Sequence, residues 1–320
     1  MLKKTLIVLF LVMLCVSVFA GGKDEQSDPV KTEGSGIPFK APINIGAKNF
    51  TEQYLVGNLL AILLEDRGFD VELKTGMSST VLREAMESGG LDLCMDYTGT
   101  QWLSYTGHPF EGESPKEMFE KTKASDGEKG LVWLDPIWCN NTYAIAITKK
   151  FSDENKIKTL SDFAAYVKAK DGEVDLATTF EFYARPDGML GLQVHYDFAF
   201  KPNRITTVLP GLTFQYLSEG KSVATLVFGT DAAIVKNNWV VLQDDKNFWP
   251  PYDLGTYTRQ EVLDANPGLA EALKELIAAF PKDPVGARAE MTALNARVDV
   301  DLMEPEDAAE EWLKEKGLIN

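Results

Sequence analysis

Short apolar runs alternate along this chain with longer stretches whose apolar residues recur every three or four positions. INIG, from Ile43, predicts a strand. NFTEQYLVGNLLAILLEDRG predicts a helix with Leu55, Leu59, Ile62 and Leu63 on one stripe. Asn49 is placed to cap that helix, with Glu52 three residues on as in a capping box, and Gly68 ends it. VELK predicts a second strand, STVLREAMESG a helix with Leu82, Ala85 and Met86 inward, and LDLCMD a third strand. The order repeats further on. NNTYAIAI, EVDLATT, RITTVL and VATLVF predict strands, separated by helices at SDFAAYVKAK, PDGMLGLQVHYDFAF and GLTFQYLSEG. WVVLQDD adds a strand, and TRQEVLDAN, GLAEALKELIAAF, ARAEMTALNARV and PEDAAEEWLKEKG make a helical tail.

Strand–helix alternation of this kind predicts an α/β protein with parallel sheets. The two units predict two lobes: residues 43–145 with 239–320, and residues 146–238. Two crossing segments, near 145–148 and 237–241, would join them as a hinge, and the helical tail would pack on the first lobe. Ligands of such sheets lie beyond the carboxyl ends of the strands. DYTGT, from Asp96, falls at such an end.

The N-terminus adds a targeting segment. Lys3 and Lys4 precede the apolar run TLIVLFLVMLCVSV, and VFA ending at Ala20 fits a cleavage site. Residues 1–20 read as a signal peptide and 21–42 as a polar, Gly/Ser/Pro-rich flexible leader. The run is shorter than the ~20 residues of a membrane-spanning helix. Cys15 as a lipoprotein cysteine is disfavoured by the bulky Leu14 before it. The protein is expected in the periplasm or otherwise outside the cytoplasm, where Cys94 and Cys139 could form a disulfide or simply pack as buried small hydrophobes.

A net charge of −16 argues against nucleic acid and against anionic lipid. Catalysis is poorly supplied: His108 and His195 are the only histidines, and no nucleophile elbow, metalloprotease helix or phosphate-binding glycine loop occurs. No cofactor is implied. Aromatics at predicted strand ends say more. Tyr97, Tyr143, Phe228 and Tyr252 could converge on one cleft. Ring faces attract a cation by their quadrupole, at roughly 0.5–2 kcal/mol per favourable contact. A quaternary ammonium has no N–H to donate, so a cage of rings suits it.

The segments IGAKNFTEQYLVGNLLAILLEDRGFDVELK, VLREAMESGGLDLCMDYTGT, ARPDGMLGL, GLTFQYLSEG, DDKNFWPPYD, LNARVDVD and AAEEWLKEKGLI occur in that order over residues 43–319. Together they resemble the osmoprotectant-binding proteins of ABC importers, the glycine betaine/choline/proline-betaine class. The resemblance implies a periplasmic-binding-protein fold of type II, with two crossover strands. It implies a cage at Tyr97, Tyr143, Phe228 and Tyr252, and a carboxylate side at Lys48, Thr100 and Arg185. Phe228 departs from the tyrosine usual there, and GTDAAI departs from the family's Ser-Thr-Asp-Gly. The partners implied are a small quaternary-ammonium ligand and an ABC permease in the inner membrane, with the protein itself a monomer. Glycine betaine, proline betaine, carnitine, choline and ergothioneine all fit. The other readings are an enzyme on the same two-lobed fold acting on a small amine, and a sensory ligand-binding protein.

Overall fold

The structure is a computed structural model that describes residues 42–320. The signal segment, Cys15 and the leader up to residue 41 lie outside the described residues. The strands are β1 (Ile43–Lys48), β2 (Val71–Met77), β3 (Leu93–Tyr97), β4 (Leu131–Asn140), β5 (Tyr143–Thr148), β6 (Leu176–Thr179), β7 (Ile205–Val208), β8 (Ala224–Phe228), β9 (Trp239–Val241) and β10 (Asp253–Arg259). They form two five-stranded sheets, ordered β2-β1-β3-β10-β4 and β7-β6-β8-β5-β9.

The two orders are one arrangement used twice. In each sheet, the strand that follows a crossing from the other sheet lies between two strands running the other way. β10 lies antiparallel between β3 and β4, and β5 lies antiparallel between β8 and β9. The sheets are therefore mixed, not parallel throughout. The parallel pairs are β1 with β2 and β3, and β6 with β7 and β8.

β4 and β10 carry no strand prediction, and both are needed for the first sheet. β10 is buried along nearly its whole length, so its sequence, DLGTYTR, shows no inside–outside alternation. Gly255 within it has a packing reason: a Cβ there would stand 2.5 Å from the Trp133 ring, which stacks on Tyr257 at 5.0 Å.

The changes of sheet fall at Asn141–Thr142 and within 242–252. β5 and β9 both belong wholly to the second sheet, so the crossings lie outside 145–148 and 237–241. The crossing segments run side by side, since the Asn141 amide donates to the Tyr252 carbonyl at 3.0 Å. The helix read from PDGMLGLQVHYDFAF is confined to Met189–His195. Phe198 and Phe200 beyond it turn into the core instead. At its start Gly188 has no room for a side chain: a Cβ would lie 1.7 Å from the Phe182 carbonyl oxygen.

Helix Thr51–Asp66 buries Leu55, Leu59, Leu60, Leu63 and Leu64 against the first sheet and the C-terminal helices. Gly68, at φ +82, ends it as expected. The tail helix Pro305–Glu315 packs on Thr51–Asp66, with Trp312 in the shared core. Cys94 and Cys139 are free and buried.

Candidate ligand cleft

β1 and β3 end side by side at one edge of the first lobe, and β8 ends and the helix Phe180–Ala184 begins opposite them. Their termini surround a cavity of about 180 Å³ lined from both lobes. Lys48, Tyr97, Thr100, Tyr143, Phe228 and Tyr252 line it. Arg185 stands directly behind them. Its guanidinium lies 5.3 Å from the Tyr143 ring centroid, and its Nη2 is 3.4 Å from Thr100 Oγ1. The structure thus brings together all seven residues singled out from the sequence.

The rings touch one another. Tyr143 lies 5.4 Å from Phe228 and 5.5 Å from Tyr252, centroid to centroid. A fifth ring joins them: Phe50 stacks on Phe228 at 4.9 Å and on Tyr97 at 6.2 Å. The hydroxyls of two rings are tied away from the cavity. Tyr97 donates to Glu52 at 2.7 Å, and Tyr252 donates to Asp187.

Asp96 and Tyr97 of DYTGT close β3. Thr98–Thr100 begins a helix that widens to a π turn over Gln101–Tyr105. Close packing forces Gly99: a Cβ there would meet the Pro251 carbonyl at 2.7 Å and the Tyr252 ring at 2.9 Å. The glycine lets the β3 end press against the returning crossing, which carries Tyr252 into the cage.

Both cations already have carboxylate partners. Lys48 Nζ pairs with the fully buried Asp96 and sits 5.3 Å over the Tyr97 ring. Arg185 grips Asp187 in bidentate fashion, Nε at 2.8 Å and Nη2 at 2.6 Å. Burial opposes the Arg185 charge, but the Tyr143 and Asp187 oxygens beside it outweigh burial and raise its affinity for the proton. Burial likewise pushes Asp187 up, and the Arg185 charge outweighs it and holds the carboxyl below its usual range. The expected carboxylate side is therefore a pair of ion pairs, not two free cations.

Sequence reasoning missed Phe50, Glu52, Asn141 and Glu181. Phe50 and Glu52 were read only as part of a helix start. Phe50 is in fact the residue before the helix, extended, and no side chain caps it. The capping box is absent because Phe50, not Asn49, holds the N-cap position, and the Glu52 carboxylate is used elsewhere. It accepts from Tyr97, from Asn141 at 3.0 Å and from Thr230. His108 stacks on Trp102, and His195 Nε2 lies 3.0 Å from the Lys246 carbonyl oxygen. Neither lines the cavity.

Two α/β lobes of one strand order, crossed twice by the chain and walling a ring-lined cavity, are the architecture of a two-lobed solute-binding protein. Residues 41–315 match the family described as the substrate binding domain of ABC-type glycine betaine transport systems. A glycine-betaine-binding protein of Pseudomonas aeruginosa is 32% identical over 292 residues, 89% of this chain and 91% of its own. An ergothioneine transport permease/ergothioneine binding protein of Helicobacter pylori is 30% identical, over 87% of this chain and 48% of its own. A solved structure of a glycine betaine/carnitine/choline ABC transporter superimposes with a TM-score of 0.68 at 26% identity, over 87% of this chain and all of that one. The chain belongs to this family of ABC-transporter substrate-binding proteins, with the type II periplasmic-binding-protein fold. Its work is transport and not catalysis.

Proposed function

We propose that this protein captures a small quaternary-ammonium solute between its lobes, in the rings of Phe50, Tyr97, Tyr143, Phe228 and Tyr252, and hands it to an inner-membrane ABC permease. It acts as a periplasmic monomer, exported by residues 1–20. One observation carries the reading: five aromatic rings from both lobes converge on one cavity. Two of them, Tyr97 and Tyr143, already hold a cation at 5.3 Å, which is within the ~6 Å reach of a cation–π contact. An incoming trimethylammonium would take the same ring faces. Because the rings come from both lobes, binding would favour the closed arrangement.

Titration calorimetry tests this on protein stripped of ligand. Tyr97→Ala, Tyr143→Ala and Tyr252→Ala should each weaken glycine betaine binding by about 1–3 kcal/mol. Phe228→Tyr should bind like the parent. Two folded alanine variants with unchanged affinity would put the cage elsewhere.

A further inference from the structure

The charges around the cavity do not balance. Lys48 pairs with Asp96 and Arg185 closely with Asp187, and a third carboxylate, Glu181, shares Arg185 at a longer distance. Glu181 lies in the short helix Phe180–Ala184 of the second lobe and lines the cavity. Ser79 of the first lobe reaches it across the cleft, donating both its hydroxyl and, at 3.3 Å, its amide. Arg185 Nη1 approaches only to 3.4 Å. Burial pushes the Glu181 carboxyl up. The Lys48 charge, the Ser79 hydroxyl and Arg185 outweigh burial and hold it below its usual range, so it is an ionised acceptor.

A carboxylate has about four lone-pair positions. Glu181 Oε2 receives one long bond, from the Ser79 amide, and its side chain is still 31% exposed. Ser78, Phe180, Val208 and Leu209 line the same cavity. A ligand that is only a trimethylammonium and a carboxylate offers no donor to Glu181. Its carboxylate would meet a like charge there. A ligand with a further arm bearing N–H or O–H would supply the missing donors.

We propose that Glu181 and Ser79 form a subsite for a hydrogen-bond-donating arm, so that the preferred ligand is a betaine carrying such an arm and not glycine betaine itself. This rests on the ring cage as the quaternary-ammonium site. Three probes share the quaternary nitrogen and the carboxylate: glycine betaine has no arm, proline betaine has an apolar ring, and ergothioneine has a ring with N–H groups. In calorimetric titration of the stripped protein, ergothioneine should bind at least about tenfold more tightly than either of the others. Glu181→Ala should reduce that ratio to within about threefold, and Glu181→Gln should fall between, since an amide oxygen still accepts. Ser79→Ala should narrow it as well, and thermal melts confirm that each variant is folded. Proline betaine binding as tightly as ergothioneine would show that bulk alone is recognised and overturn the subsite. So would equal or tighter binding of glycine betaine, or a ratio unchanged in the Glu181 variants. If none of the three bound, the cage itself would fall and the subsite with it.

Discussion

Asp253 opens β10 with a carboxyl that is 2% exposed and whose Oδ2 has no hydrogen-bond partner among the described residues. Burial pushes it up from 3.8 to about 7. The folded protein therefore keeps a proton that the unfolded chain sheds between those values, and stability falls as pH rises across that window. Asp253→Asn, always neutral, removes this slope. Its melting temperature should exceed that of the parent by several degrees at pH 8 and converge with it near pH 4. An equal offset at both pH values would assign the effect to packing instead.

The same economy of partners fixes the cage one residue at a time. Tyr97 is legible as an aromatic at a strand end, yet its orientation depends on a Glu52 bond that no spacing predicts. Gly99 is legible as a glycine, but the Pro251 carbonyl that requires it comes from more than 150 residues along the chain.

At the scale of elements, Glu52 ties four pieces together. Its carboxylate takes bonds from β3 through Tyr97, from the first crossing through Asn141 and from the loop after β8 through Thr230, with Asn295 of helix Pro284–Asp299 at 3.5 Å. Burial drives the Glu52 carboxyl upward, and the four donors counter it only in part. Removing the acceptor leaves several buried donors without partners, each a desolvation cost of about 1–3 kcal/mol. Glu52→Ala should lower unfolding free energy by at least about 2 kcal/mol in a denaturant titration. A loss under about 0.5 kcal/mol would mean that water or neighbouring groups replace the carboxylate freely.

For the whole molecule, the two crossings are the only covalent links between the lobes among the described residues, and the cavity lies between the lobes. Several side-chain bonds also span the cleft, including Ser79 to Glu181 and Arg185 to Thr100. Ligand and these bonds should act together to close it. Small-angle scattering of stripped protein should show the radius of gyration falling on titration with glycine betaine or ergothioneine. An unchanged radius at saturation, with binding verified by calorimetry, would exclude hinge closure.

The sequence by itself determined the strand–helix order of both units, the helical tail and the four strand-end rings, because periodicity and turn residues are local signals. It did not determine β10, since a strand buried on both faces loses its alternation, nor β4, whose half-buried alternation is interrupted by Asp135 and Pro136, nor where the chain changes sheet, since that depends on pairing between distant segments. It named Lys48 and Arg185 but not their occupancy. Only the folded chain sets Asp96 and Asp187 against them, gives Glu181 only a longer share of Arg185, and adds Phe50 to the ring cluster. Each of these is a contact between residues far apart in sequence, whose charge or ring face takes its meaning from the neighbour that the tertiary structure supplies.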